Sequence, residues 1–180
     1  MGQHRKQLCP CGSGKHRKAC CHQLPRGSKV ELEETAWRLS KAGRHDEACE
    51  VLEQRVALSP DNPMIWNDLG NEYAAAGQMH QALAALKRAH EVCPDYPLPL
   101  YNLGKYLLDR CLLLQNEGSG DMQQIHGMAT EAIEYFKSSL ERDFENAACH
   151  HNLALAYGIV KNFSMATVHV MEARRINPVV

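Results

Sequence analysis

The sequence predicts an all-α protein built from stacked pairs of helices, and three observations lead to this fold class. Aromatic residues make up only 6% of the 180 residues while hydrophobic residues make up 44%, a balance that suits helices better than a β-sandwich. Self-alignment gives a period near 34 residues, in copies at about 29–62, 63–96, 97–146 and 147–180. A proline stands near the end of three copies (Pro60, Pro94 and Pro178), where it removes an amide donor and stops a helix.

The copy at 63–96 has the most complete pattern. Small residues such as Gly70 and Ala82 allow two antiparallel helices to approach closely, and large residues such as Trp66, Tyr73 and Leu86 fill the groove beside them. This pattern resembles the tetratricopeptide repeat, and weaker matches extend the resemblance to the other copies. The resemblance implies a helical solenoid over residues 30–180, because no single repeat can bury its own apolar face.

The third copy departs from the period. Leu103 and Ala132 are 29 positions apart, whereas the corresponding Leu69 and Ala82 are 13 apart, so this copy has 16 extra residues. The insertion lies near 109–128. The apolar run at 107–114 predicts that the first helix of the copy continues beyond its usual length, and 116–120 is expected to form a flexible loop. The insertion is either a dedicated contact or a tolerated loop.

Charge separates a short N-terminal segment from the repeats. Residues 1–29 carry seven basic and no acidic residues, whereas the remainder has a net charge of −8. This asymmetry predicts two modules with two kinds of partner. A polar segment at 25–29 is the expected linker. The basic residues that could form a docking patch are Arg5, Lys6, Lys15, Arg17 and Lys18.

Cysteines cluster in the same N-terminal segment. Four of the eight lie within 13 residues, in the pattern Cys-x-Cys-x8-Cys-Cys followed by His22. No signal sequence and no long apolar run are present, so we expect a cytoplasmic protein without a membrane span, in a compartment that keeps thiols reduced. Clustered thiolates in that compartment predict one structural Zn²⁺ with no open coordination position.

The segment CPCGSGKHRKACCH resembles the SEC-C zinc motif found at the C-terminus of the translocase motor SecA. The resemblance implies a zinc-binding module at residues 1–24 with the ligands Cys9, Cys11, Cys20 and Cys21, and His22 is the second choice for the fourth ligand. It also implies a docking role, with a chaperone or the ribosome as the partner. A phosphate-binding loop is disfavoured, since His16 stands where that loop needs Ser or Thr.

The resemblance to tetratricopeptide repeats implies a concave face lined by the first helix of each repeat. The residues that it places there as partner-binding candidates are Asn67, Asn71, Tyr101, Lys105 and His151, and it places Glu33 and Trp37 on the same face. A clamp for a terminal carboxylate is disfavoured because Glu33 and Asn67 stand where such clamps have lysine. The alternative is that these residues are ordinary solvated polar side chains.

These observations together predict a non-enzymatic adaptor. The zinc module would dock one partner, and the concave face would bind another protein or a peptide. The alternative is a factor that associates with the ribosome or RNA through the basic N-terminus. The last repeat lacks a polar capping helix, and its apolar residues could support a homodimer. The remaining cysteines (Cys49, Cys93, Cys111 and Cys149) are expected to be small buried hydrophobic residues.

Overall fold

The computed structural model describes residues 26–179, and the predicted zinc ligands and basic docking patch lie outside this range. Every regular element in the described part is an α-helix, as the sequence predicts. The helices are α1 (Arg26–Lys41), α2 (His45–Leu58), α3 (Pro63–Ala75), α4 (Met79–Val92), α5 (Pro97–Glu117), α6 (Met122–Leu140), α7 (Ala147–Ile159) and α8 (Phe163–Ile176). The chain divides into two compact units, which meet in sequence between Cys93 and Pro94.

Unit 1 contains α1 to α4, and consecutive helices pack against each other. Its core is formed by small and branched apolar side chains, with the half-buried Trp66 and Tyr73 packed against them. The buried members are Ala36, Cys49, Leu52, Ile65, Leu69 and Ala85. All four helices contribute buried side chains to this one core. The small and large residues of the sequence repeat are therefore residues at the contacts between helices.

Unit 2 contains α5 to α8, with α5 packed on α6, α6 on α7, and α7 on α8. Its main core surrounds Phe136, which is fully buried on α6. The other buried members are Leu108, Ala132, Ile133, Leu140, Cys149, Leu153 and Ala156. A single large ring thus lies at the centre of side chains from three helices.

The extra residues of the third repeat form helix rather than a long loop. α5 has 21 residues and α6 has 19, against 13 and 14 in α3 and α4. The lengthened ends pack on each other through a second core cluster of Cys111, Leu114, Ile125 and Ala129. Only four residues, Gly118 to Asp121, connect the two helices. The observed loop at 118–121 is therefore one residue shorter than the loop expected at 116–120, and it begins two residues later. Burying this cluster favours continuation of both helices.

Side-chain caps fix where several helices begin. The Asn62 side chain accepts a hydrogen bond from the Met64 amide at 3.0 Å, and Pro63 occupies the first helical position. Asn146 and Asn162 accept from Cys149 and Met165 in the same way. These residues satisfy amides that have no partner inside the helix, so the repeat boundaries are set locally by sequence.

The N-terminal end of the repeat region differs from the sequence prediction, whereas the C-terminal end does not. α1 begins at Arg26, within the segment 25–29 that the sequence analysis assigned to a linker. α8 exposes Phe163, Val168 and Met171. No helix in the described residues is both long and apolar enough to cross a membrane.

Candidate functional site

A cavity of about 270 Å³ opens in unit 1 and is lined by three helices. This volume lies below the roughly 300–1,000 Å³ of pockets that hold drug-sized ligands, so the cavity suits a single side chain better than a whole cofactor. Its floor includes the apolar residues Ala36 and Leu52. The other lining residues are Glu33, Trp37 and Ser40 on α1, Arg55 on α2, and Asp68, Asn71 and Glu72 on α3.

Ion pairs and hydrogen bonds hold most of the charged wall in place. Arg55 reaches from α2 to Glu33 on α1, with an Nη2 to Oε2 distance of 3.2 Å. The Ser40 hydroxyl donates to Glu72 at 2.7 Å, and His45 donates from Nδ1 to the other Glu72 oxygen at 2.9 Å. The wall is therefore preorganised by contacts between helices, and the described part of the chain contributes three carboxylates and one guanidinium to its lining.

Asp68 differs from the other two carboxylates of the cavity. No side-chain ion pair is recorded for it among the described residues. Although the residue as a whole is exposed, neighbouring protein atoms desolvate its carboxyl and raise its pKa. The positive charge of Arg55 and, to a smaller extent, a side-chain hydrogen bond with Asn67 oppose this effect by lowering the pKa. The Asp68 carboxylate would therefore be stabilised by an additional cation close to it.

Trp37 forms an open aromatic wall of the same cavity. Its side chain is 63% exposed, although large aromatic residues usually bury most of their surface. The other tryptophan of the chain, Trp66, is half-buried, and its indole N–H donates to the Pro60 carbonyl at 2.8 Å. Trp66 thus has a structural role, whereas the surface of Trp37 is available to a ligand.

The structure places the two predicted binding residues of unit 1 differently. Asn71 lines the cavity. Asn67 is buried, with 4% of its surface exposed, so it belongs to the interior of the unit rather than to an open surface. Sequence matching placed both residues on one face, but it could not show that packing covers Asn67.

The three predicted residues of unit 2 lie on α5 and α7. The Tyr101 hydroxyl accepts a hydrogen bond from Asn152 at 3.2 Å, and its ring lies 6.1 Å from that of Phe136. Lys105 forms an ion pair with Asp109 at 2.8 Å and lies over the Tyr106 ring. His151 is exposed on α7. Tyr101 and Lys105 are thus partly engaged in contacts within unit 2.

Four residues of the unit 1 cavity were not found from the sequence. Ser40, Arg55, Asp68 and Glu72 occupy positions where the repeat pattern prescribes no residue type. The available signal was the spacing of about 32 residues between Ser40 and Glu72, which is close to the repeat period. That spacing predicts equivalent positions in adjacent repeats, but it does not identify a hydrogen bond.

The described cysteines do not form a reactive or metal-binding group. Cys49, Cys111 and Cys149 are buried and Cys93 is half-buried, and all four are free thiols. Burial raises the pKa of Cys49 to about 11 and that of Cys149 to about 12, so these two thiols are protonated at neutral pH. Among residues 26–179, no three His, Cys, Asp or Glu side chains are grouped so that they could hold a metal ion.

Unit 2 contains a pair of histidines that the sequence did not reveal. His150 is fully buried, and its Nδ1 lies 2.9 Å from Nδ1 of His169 on α8. Nε2 of His150 donates to the Phe144 carbonyl at 3.0 Å, so in the neutral ring Nδ1 is the acceptor and His169 donates. The ring of His169 also stacks on Tyr157, with 5.6 Å between the centroids.

Lowering the pH should therefore destabilise unit 2. Burial, together with the neighbouring His150, lowers the pKa of His169, and the smaller effect of Glu172 opposes this shift. The unfolded chain binds a proton at His169 near pH 6.5, before the folded chain does. Stability that is present at neutral pH is thus lost as the pH falls below about 6.5 toward the folded pKa.

Thermal unfolding at pH 7.5 and 5.5 would measure this effect. Between these two pH values, the melting temperature of His169→Gln should fall less than that of the wild type. The matched control is His126→Gln, since His126 is exposed on α6 and should keep the wild-type dependence. An equal loss in wild type and His169→Gln would show that this pair does not control the pH response.

The helix pairs, their 34-residue period and the small residues at the helix contacts resemble those of tetratricopeptide-type helical repeats. Residues 70–109, which cover the end of α3, all of α4 and the first part of α5, match the family model described as "TPR repeat". The match supports the repeat class that the sequence analysis inferred. No curated protein matches the chain at a significant level.

Solved structures of helical-repeat proteins are similar to the chain in fold. One structure of MamA has a TM-score of 0.68 at 15% identity and covers 84% of this chain and 76% of its own. A second MamA structure has a TM-score of 0.65 at 18% identity, with coverages of 90% and 84%. A monomeric mutant of IFIT1 with Gppp-AAAA has a TM-score of 0.70 at 19% identity. The alignment covers 87% of this chain but 35% of IFIT1. At these identities the likeness concerns the fold alone.

Proposed function

We propose that the chain is a non-enzymatic adaptor that binds a protein or peptide partner in the cavity of unit 1. The observation that carries this proposal is the exposed indole of Trp37 in a cavity whose charged walls are already held by contacts between helices. Exposed aromatic side chains in concave sites are typical anchors for a partner. The similarity to MamA and IFIT1 supports a scaffold fold for this role.

We further propose that the N-terminal module binds one structural Zn²⁺ and docks a second partner. The support is the spacing of Cys9, Cys11, Cys20 and Cys21, which brings four soft donors close together in sequence. A cytoplasmic location fits this proposal, since reducing conditions keep the four thiols available to the metal. A chaperone or the ribosome is the partner that the resemblance to the SEC-C motif implies.

A basic N-terminal segment also favours a second candidate function, which is contact with RNA. Seven positive charges in residues 1–29, with no acidic residue, could neutralise phosphates. IFIT1, one of the structural neighbours, is described with Gppp-AAAA. Salt distinguishes the two candidates, because phosphate contacts weaken steeply between about 50 and 200 mM salt.

Affinity capture from a cell lysate, with the full chain as bait, would test these assignments. We expect Trp37→Ala to lose one set of partners and Cys9→Ser/Cys11→Ser to lose another. Phe163→Ala is the control for the first variant, since it removes an equally exposed aromatic side chain from α8. Identical captures by the intact chain and by Trp37→Ala would show that the cavity is not the binding site.

A further inference from the structure

We infer that the unit 1 cavity takes up a positively charged side chain, arginine or lysine, from a partner polypeptide. The side chain would lie against the indole of Trp37 with its charge directed to Asp68. This inference rests on the proposed function and adds the chemistry of the partner segment. Three features of the cavity lead to it: the balance of its charges, the exposed aromatic wall, and the different bonding of its three carboxylates.

The charge balance of the lining favours a cation. Among the residues that the structure describes, Glu33, Asp68 and Glu72 contribute three negative charges to the lining, and Arg55 is its one basic residue. The Arg55 side chain is 15% exposed and already pairs with Glu33, so little of its charge faces an incoming ligand. An anionic ligand would meet the remaining carboxylates, which would repel it at short distance.

Trp37 supplies the second feature. The face of an indole ring attracts cations through its quadrupole, and tryptophan is the most effective of the aromatic residues in this role. Within residues 26–179, Trp37 makes no contact with another ring or with a cation, although Lys105 makes such a contact with Tyr106 in unit 2. The exposed indole and the carboxylates of the same cavity would thus both stabilise the positive charge of a ligand.

The third feature shows which carboxylate is available. Glu33 is engaged by Arg55, and both oxygens of Glu72 accept hydrogen bonds, from Ser40 and from His45. Asp68 forms no ion pair within the described part of the chain; its side chain is hydrogen-bonded to Asn67, and it is partly desolvated by its surroundings. A bound cation would replace the lost hydration of this carboxylate, which is the usual arrangement for charges removed from water.

A labelled nonapeptide with three arginines separated by alanines provides a defined probe. Its binding to the full chain is measured by fluorescence anisotropy at 150 mM salt, because this ionic strength screens long-range attraction between exposed charges. Matched peptides carry glutamine or glutamate in place of arginine. We expect the arginine peptide to bind at least about fivefold more tightly than the glutamine peptide, and the glutamate peptide to bind least.

Variants of the protein locate the binding. Trp37→Ala and Asp68→Asn should each weaken binding of the arginine peptide by about fivefold, because each removes one of the groups that contact the charge. Arg55→Met should strengthen it, since a positive charge leaves the wall. Glu34→Gln is the matched control, because Glu34 is exposed on α1 and does not line the cavity. Far-UV circular dichroism confirms that each variant keeps its helices.

Three outcomes would overturn the inference. Equal weakening by Glu34→Gln and Asp68→Asn would indicate general attraction to an acidic surface. Binding of the glutamate peptide that depends on Trp37 and is lost in Arg55→Met would indicate an anionic ligand. If the arginine peptide does not bind but capture from lysate still depends on Trp37, the cavity keeps its proposed role and the preference for a cation is wrong. If capture does not depend on Trp37 either, the proposed function itself fails.

Discussion

Replacing Phe136 with alanine is expected to lower the free energy of unfolding by about 3–5 kcal/mol, the range for truncating a buried phenylalanine. The ring is fully buried on α6, at the centre of the main core of unit 2. Removing it forfeits the burial of a large apolar surface, and it also leaves a space that the surrounding helices can only partly fill. This is the largest effect that we expect from any single substitution in unit 2.

Urea unfolding followed by far-UV circular dichroism measures this loss. Tryptophan fluorescence is less suitable, since Trp37 and Trp66, the two tryptophans of the chain, both lie in unit 1. The matched control is Phe163→Ala, which removes the same atoms from a residue that is 66% exposed. A loss below about 1 kcal/mol for Phe136→Ala, within the range of ordinary substitutions, would contradict the packing described here.

Gly104→Ala is expected to lower the free energy of unfolding by about 1–3 kcal/mol, as overpacking of a core does. A Cβ atom at this position of α5 would lie 2.8 Å from Cε1 and 2.9 Å from Cδ1 of Phe136. The ring is enclosed on all sides and cannot move away without disturbing its neighbours. The clash should therefore outweigh the gain of about 1 kcal/mol that alanine usually brings to a helix interior.

Gly127→Ala, in the same unit, is expected to raise the free energy of unfolding. Gly127 lies in α6, and a Cβ atom there would have no heavy atom within 4 Å, so alanine should stabilise the protein by about 0.5–1 kcal/mol. Urea midpoints of the two variants provide the comparison. The double variant Gly104→Ala/Phe136→Leu should lose less free energy of unfolding than the sum of the losses of its two single variants, Gly104→Ala and Phe136→Leu. The reason is that the smaller leucine side chain accommodates the new methyl group. Strict additivity would show that the clash is not with Phe136.

The candidate site was less accessible to sequence reasoning than the fold. The repeat pattern placed Asn71 and Trp37 on the inner face, and both line the cavity of unit 1. It also offered Asn67, which packing covers. Arg55 was not anticipated, since it belongs to the second helix of its repeat and reaches the site through its ion pair with Glu33. A long flexible side chain can cross from one helix to another, and repeat periodicity does not describe that reach.

The histidine pair of unit 2 likewise could not be predicted from the sequence. His150 and His169 are 19 residues apart on different helices, and nothing in their spacing distinguishes them from the other eight histidines. Their contact depends on how α7 packs against α8. A sequence can indicate that a helix has a buried face, but the hydrogen-bond partner of a buried polar group is chosen by the neighbouring element.

The sequence by itself determined the helical class, the repeat period and most helix boundaries of this protein. These properties are local, because caps such as Asn62, terminating prolines such as Pro94 and the spacing of small residues act within one or two helices. Tertiary structure alone decided that Arg55, Asp68 and Trp37 share one cavity and that the lengthened ends of α5 and α6 pack on each other. The physical reason is that such contacts join residues of different helices, and their geometry follows from packing a whole unit rather than from any local preference.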